Sequence, residues 1–471
     1  MAKSRNIARV IDAGIPGHHI YFIGIGGIGM SALARYFHQH GKKVSGYDRT
    51  ETSLTKQLVT EGMHIHYDDN VQRTPKDADL VIYTPAIPAG HQELAYFKEH
   101  DYIVMKRSEV LGAITEHGFN ICVAGTHGKT TVSTMIAHIL RHSGYGCNAF
   151  LGGISVNYES NFWSSEKKVC VIEADEYDRS FLTLHPDIAV ITAMDADHLD
   201  IYGNEENVQT AFREFAGKVK TSGLLLVRAG LQVTASSGGA RLLHYHLRDT
   251  QADIHTRALH IVEGSYSFDA VIKGRVITGL ILNMGGLHNV ENALAAIAVA
   301  SELGIEDEKI RDAVDAFRGV KRRFEYVIRT KDKIFIDDYA HHPEELRALL
   351  NGVRNLYATR KCTLIFQPHL FTRTRDFADG FAETLAMADE IFLLPIYPAR
   401  EEPIAGVTSE MIAARMITKN VHVVSRDLAL TRISELLNED AIDVLVTAGA
   451  GDIDTLVQPL AKLIQEKQKQ K

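Results

Sequence analysis

"CVAGTHGKTTVSTMIAHIL", residues 122–140, decides how the rest of the chain is read. A short apolar run leads into Gly125 and Gly128, and the residues after them follow the period of an amphipathic helix. Strand, glycine turn and helix together wrap backbone N–H groups around a phosphate, and the helix N-terminus adds positive potential. Lys129 is placed to neutralise β- and γ-phosphate charge, and Thr130 to ligate Mg2+. The full phosphate-loop pattern has glycine at position 123, where this chain has Val123, so only the Gly-Lys-Thr end matches. ATP binding is the stronger reading. The alternative is a glycine-rich turn with a solvated lysine.

About a hundred residues earlier lies "YFIGIGGIGMSALARYF", residues 21–37, with Gly24, Gly26 and Gly29 in Gly-x-Gly-x-x-Gly spacing. Asp48 closes what reads as the next strand. Taken alone, this points to a dinucleotide-binding oxidoreductase. Downstream, "VCVIEADEYDRSF" ends an apolar strand on Glu173, where acids of α/β sheets meet ligands. A carboxylate there, across from Thr130, suits Mg2+. Asp175, Glu176 and Asp178 read as a solvated acidic turn. "IAVITAMDADHLDIYG" repeats the arrangement, running into Asp195, Asp197, His198 and Asp200, and His198 is a candidate second metal ligand. "MGGLHNVENALAAIAVA" opens a helix with His288, Asn289 and Asn292 along one face, fit either to contact a nucleotide or, for Asn289, to cap the helix.

The chain has 471 residues, a length that suggests about three domains at roughly 150 residues each. A hydrophobic content of 45% with 23% charged residues is that of a soluble globular protein. The net charge of -8 gives no support to nucleic-acid or membrane-surface binding. Four scattered cysteines without a C-x-x-C fit a reducing compartment. The polar N-terminus lacks a signal-peptide core, and no apolar run approaches the ~18 residues of a membrane span. A cytoplasmic protein is expected.

Short β-branched runs alternate with helical patterns for most of the length, the mark of parallel α/β architecture. Residues 228–282 read as an antiparallel patch, "LLHYHL" included. Cuts near 111 and 320 give three α/β domains, 1–111, 112–319 and 320–471.

In this order the motifs "IGIGGIGMS", "YTPAIP", "GTHGKTT", "EADE", "DADHLDIYG", "LHNVENALAA", "RRFE", "DDYAHHP", "FQPH" with "TRTRDF", and "AGAGDI" resemble the Mur ligases, ATP-dependent carboxylate–amine ligases of peptidoglycan synthesis. They run from about residue 22 to 453, nearly the whole chain. The resemblance implies Rossmann-like first and third domains around a central phosphate-loop ATPase-type domain. It implies ligation of L-alanine to the carboxylate of UDP-N-acetylmuramate through an acyl phosphate. ATP and two Mg2+ ions are implied, with Mn2+ able to substitute.

Carried over, Gly24, Gly26, Gly27, Ile28, Gly29 and Met30 hold the UDP diphosphate instead of NAD, with Asp48 on the uridine side. Gly125, Thr126, His127, Gly128, Lys129, Thr130 and Thr131 cradle ATP. Thr130, Glu173 and His198 bind the metals, and His288, Asn289 and Asn292 contact the nucleotide. Arg322 of "RRFE" swings in from the third domain onto the phosphates. Asp338 holds the ribose with His342 nearby, and His369 and Arg373 face the amino acid. Lys129, His198 and Arg322 are the implied catalytic set. The family pattern often reads "FQPHRYTRT", but this chain has Leu370 and Phe371, which leaves Arg373 or Arg375 to grip the amino-acid carboxylate. The rival readings are a murein-tripeptide recycling ligase, the oxidoreductase, and a non-catalytic nucleotide-binding module.

Overall fold

A computed structural model describes residues 10, 17–116, 118–195, 199–234, 239–399, 401–417 and 420–470. Three sheets organise them. The first comprises β1 (His19–Ile23), β2 (Lys43–Tyr47), β3 (His64–His66), β4 (Leu80–Tyr83) and β5 (Val104–Lys106), in the order β3-β2-β1-β4-β5. All its pairs are parallel, and β1 is buried along its whole length. Strands covered on both faces need continuous apolar residues, which "HIYFI" largely supplies. Helix α1 (Ile28–Gln39) follows β1, and α2 (Arg107–Thr115) follows β5.

The second sheet is built from β6 (Phe119–Ala124), β7 (Asn148–Ser155), β8 (Ser160–Trp163), β9 (Val169–Glu173), β10 (Ile188–Ile191), β11 (Leu224–Arg228), β12 (Arg241–His246), β13 (Ile254–Val262), β14 (Ser265–Ile272) and β15 (Arg275–Leu282). Its order is β15-β14-β13-β12-β11-β10-β6-β9-β7-β8, and helix α3 (Lys129–His142) leaves β6. The expected antiparallel patch is smaller than the alternation suggested. β12 runs parallel to both β11 and β13, so "LLHYHL" belongs to the parallel series. Within residues 228–282 the antiparallel hairpins begin only at β13, and at the opposite end of the sheet β7 and β8 form a further antiparallel pair. Two-residue connections at Glu263–Gly264 and Lys273–Gly274 hold all four residues at positive φ, the mirror-image turn that matches strand twist. Alternating hydrophobicity reports a strand with one solvated face, not the direction of its neighbour.

Helix α4 (Leu287–Glu302) follows this sheet. The third sheet takes β16 (Glu325–Arg329), β17 (Ile334–Asp338), β18 (Cys362–Phe366), β19 (Glu390–Leu393), β20 (Val421–Val423) and β21 (Val444–Ala448) in the order β16-β17-β21-β18-β19-β20. It is parallel except for the edge pair β16–β17. Helix α5 (Pro343–Leu356) follows β17.

Contacts divide the chain into two compact units. One holds residues 1–257, 269–280 and 291–314, and the other 258–268, 281–290 and 315–471. In the first, one apolar core runs continuously through both sheets, from Phe22 and Phe37 to Phe150, Phe162 and Phe212. The second has its own core around Phe335, Ile365, Leu445 and Leu460. All four cysteines are free and buried. Burial pushes the Cys147, Cys170 and Cys362 thiols up to about 12 and raises that of Cys122 as well. Among the described residues no helix is long and apolar enough to cross a membrane.

Candidate active site

In the first unit two helices open in the same unusual way. α1 begins after Gly27 and α3 after Gly128, and neither first turn is closed by a side-chain cap. Most helices satisfy these N–H groups with Ser, Thr, Asp or Asn. Glycine leaves them open to an anion, at the positive end of the helix dipole.

At the first loop, Gly24 has φ +86°, and Asp48 Oδ2 accepts from Gly26 N–H at 2.7 Å. Asp48 Oδ1 accepts from Thr50 N–H at 3.2 Å, so the carboxylate braces the loop from β2. A Cβ on Gly26 would lie 2.8 Å from Asp48 Oδ2. Gly29 makes room for a side chain that sequence reasoning missed: Arg107 Nη1 lies 2.7 Å from where its Cβ would stand. Arg107 opens α2 at the carboxyl end of β5, and Asp175 faces its Nη2 at 3.9 Å.

At the second loop, Gly125 has φ +140° and Gly128 φ +82°. A side chain at Gly125 would strike Thr192, whose hydroxyl donates to the carbonyls of Ala124 (3.2 Å) and His127 and so closes the loop from β10. Thr126 Oγ1 donates to Asp195 Oδ2 at 3.3 Å, and His127 Nε2 stands 3.9 Å from the same oxygen. Asn292 Oδ1 lies 2.8 Å from the Cβ position of Gly128, so the amide of α4 does reach the loop. Thr130 and Thr131 are buried in the first turn of α3.

Thr130 Oγ1 donates to Glu173 Oε1 at 2.9 Å, and Glu173 Oε2 accepts from Gly152 N–H at 2.8 Å. A Cβ on Gly152 would land on the Glu173 carboxylate. A hydroxyl and a carboxylate at the end of a strand are hard oxygen donors of the kind Mg2+ takes, so Thr130 and Glu173 fit that metal. Gly152 was not foreseen, because nothing local to β7 announces a contact with β9. His198, with Ala196 and Asp197, lies outside the described residues.

Lys129 extends to Glu176, 2.7 Å from each carboxylate oxygen. This overturns the reading of Glu176 as part of a solvated turn: its side chain is 2% exposed. Burial raises its carboxyl above the usual range despite the opposing pull of Lys129. Tyr202 Oη donates to the Glu176 carbonyl at 2.6 Å and helps to seal the turn. The side chain of Asp178 lies outside the described residues.

In the second unit, Asn289 Nδ2 donates to the Gly285 carbonyl at 2.6 Å, and His288 packs on Gly286. This bond ties the first turn of α4 back to the glycine turn before it. Arg322, at φ +61°, pairs with buried Asp337 at 3.2 Å and donates to the Gly449 carbonyl at 2.5 Å. Asp338 accepts from the N–H groups of Phe324 (2.6 Å) and Ala340 (2.7 Å), and burial pushes its carboxyl up to about 6. His342 caps α5, and its ring packs edge-on against Phe377. His369 stacks on Tyr397 and stands 3.3 Å from Arg373 Nη1. Leu370 adopts φ +71°, ψ 136°.

Three family models match in succession: "Mur ligase family, catalytic domain" over residues 19–118, "Mur ligase middle domain" over 123–300 and "Mur ligase, glutamate ligase domain" over 322–451. The chain is 47% identical to UDP-N-acetylmuramate--L-alanine ligase of Flavobacterium johnsoniae, over 95% of this chain and 98% of that one. It is 48% identical to the protein of the same name from Flavobacterium psychrophilum, over 96% and 99%. Among solved structures it is similar to UDP-N-acetylmuramate-alanine ligase MurC of Thermotoga maritima, with a TM-score of 0.78 at 28% identity, covering 96% of this chain and 100% of that chain. It also resembles a murein peptide ligase from Psychrobacter arcticus, with a TM-score of 0.64 at 25% identity over 95% and 99%. Matched over most of its length by the family's models and by relatives of this identity, the chain belongs to the Mur ligase family.

Proposed function

We propose that this enzyme joins L-alanine to the carboxylate of UDP-N-acetylmuramate at the expense of ATP, releasing ADP and phosphate, as a cytoplasmic step of peptidoglycan precursor synthesis. The observation that carries the reading is the cluster at α3: a glycine-opened helix, Lys129, and the Thr130–Glu173 oxygens 2.9 Å apart. The names of the relatives that match nearly the whole chain supply the substrates.

Residues 1–111 would bind the sugar nucleotide, its diphosphate on the loop of Gly24, Gly26 and Gly29, with the Arg107 guanidinium against that loop. Residues 112–319 would bind ATP, and 320–471 would bring the amino acid through His369 and Arg373. A carboxylate is a poor electrophile, and activating it brings two anions together. Lys129 would place positive charge where they meet. Mg2+ on Thr130 and Glu173, with Mn2+ able to substitute, supplies further charge neutralisation when bound. Holding three substrates in one geometry is chiefly an entropic problem, and an acyl phosphate must also be kept from water.

Phosphate release with Mg-ATP and UDP-N-acetylmuramate, on adding L-alanine, L-serine, glycine or the murein tripeptide singly, tests the proposal. Release with L-alanine is expected. Release with the tripeptide alone would reassign the chain to the recycling activity, and tight NAD binding without release would overturn the ligase reading.

A further inference from the structure

The β7–β8 hairpin touches both glycine-loop systems of the first unit. Its ladder pairs Ala149 with Trp163 and Phe150 with Phe162, then resumes only at Ser155 with Ser160. Residues 151–154 therefore bulge opposite a single residue, Asn161. Bulges re-aim groups toward sites, and here both strands are used. On the bulged strand Gly152 N–H holds Glu173. On the other, Asn161 is 0% exposed and its carboxamide enters α1. Nδ2 donates to the Ile28 carbonyl at 2.6 Å and to Ser31 Oγ at 3.0 Å, and Oδ1 accepts from Arg35 Nη1. Arg35 is itself buried, and its Nε and Nη2 donate to the Glu61 carboxylate at 2.8 Å.

The grip falls on the first two turns of α1, directly after Gly27. The surrounding packing is aromatic, with Tyr36 against Phe150 and Phe162. Apolar packing alone tolerates rearrangement, whereas a fully satisfied buried polar network admits one geometry. The reacting carboxylate and the phosphate donor hang from different helices, and misplacement by about 1 Å costs on the order of a hundredfold in rate.

We propose that Asn161 is a positioning residue that sets the register between the first glycine-loop helix and the phosphate loop, through the bulge it shares with Gly152. This rests on the ligase reading above. Asn161→Ala is expected to bind UDP-N-acetylmuramate and a non-hydrolysable ATP analogue singly within about threefold of wild type by calorimetry. Its kcat with all three substrates is expected to fall at least tenfold. Phe162→Leu, which loosens the same contact but leaves the polar knot, is expected to lower Tm with kcat retained. If Asn161→Ala fails to fold, Ser31→Ala removes one partner of the carboxamide and should lower kcat about threefold. A folded Asn161→Ala with wild-type kcat overturns the register, as does an unchanged Ser31→Ala. Wild-type protein that turns over none of the substrates overturns the ligase reading, and the register with it.

Discussion

Lys129 Nζ stands 2.7 Å from both carboxylate oxygens of Glu176, with the two side chains only 14% and 2% exposed. The phosphate-loop lysine is thus held straight before any nucleotide arrives, by a counter-charge that ATP phosphates would later displace. Removing one partner of a buried ion pair is costly because the other charge is left desolvated. Glu176→Ala should therefore lower the unfolding free energy by about 3 kcal/mol in urea titrations. A saturating ATP analogue should restore part of that loss by supplying new anions to the lysine. A loss below about 1 kcal/mol would show that water reaches the ammonium.

Gly152 touches no substrate in the proposed scheme, yet it fixes the metal carboxylate. Gly152→Ala forces Glu173 off its contact with Thr130. Titrating activity against Mg2+ should show a requirement raised about tenfold and a lower plateau, on the scale of losing an outer-shell partner of a metal ligand. An unchanged Mg2+ curve would remove Glu173 from the metal site.

The first sheet buries a carboxyl that the chemistry does not use. Glu93 is 0% exposed, accepts from Tyr21 Oη at 2.6 Å and Asn70 N–H at 3.1 Å, and faces His66 Nε2 at 3.6 Å. Burial, reinforced by Asp69, pushes its carboxyl up to about 7. In the unfolded chain this group ionises near 4.5, so between pH 4.5 and 7 the folded state binds the extra proton and stability falls as pH rises. The full effect is about 3 kcal/mol at roughly 1.4 kcal/mol per pKa unit. His66 and His91, both lowered by burial, contribute with the opposite sign near their usual range. The difference between wild type and Glu93→Gln isolates the carboxyl: the variant should lose the downward slope between pH 4.5 and 7 in denaturant titrations. Parallel curves would mean that Glu93 is ionised throughout.

Leu370 holds a backbone conformation that glycine alone adopts cheaply, φ +71° with ψ 136°. It leads the helical turn bearing Arg373, and its N–H donates to the Tyr397 carbonyl at 2.9 Å. Leu370→Gly should raise stability by about 1 kcal/mol, the relief of strain less the chain entropy glycine adds. Thermal unfolding of the two proteins decides it. A lower Tm in the variant would mean that leucine packing outweighs the strain.

Both phosphate-type loops were legible because each is local: strand, glycine and helix are contiguous, and glycine at a positive φ leaves its mark on the sequence. The parallel series within each sheet followed for the same reason. What escaped was contact between segments distant in sequence. Glu176 looks like any acid in a polar turn until the fold brings Tyr202 to its carbonyl and Lys129 to its carboxylate. Gly152 and Asn161 lie in unremarkable strands, and their importance comes from a bulge opposing them across the hairpin. Arg107 is one basic residue among many until the missing side chain of Gly29 admits its guanidinium. Direction was equally hidden in β12, whose alternation is the same whether its neighbour runs with it or against it.

The buried thiols lend the chain an experimental property. With protons held so far above neutral pH, none of the four offers the thiolate that maleimides attack. The folded protein is therefore chemically silent toward such dyes without any residue being removed. A cysteine introduced on the surface of each unit would carry the sole fluorophores, and energy transfer between them becomes a ruler for the catalytic cycle.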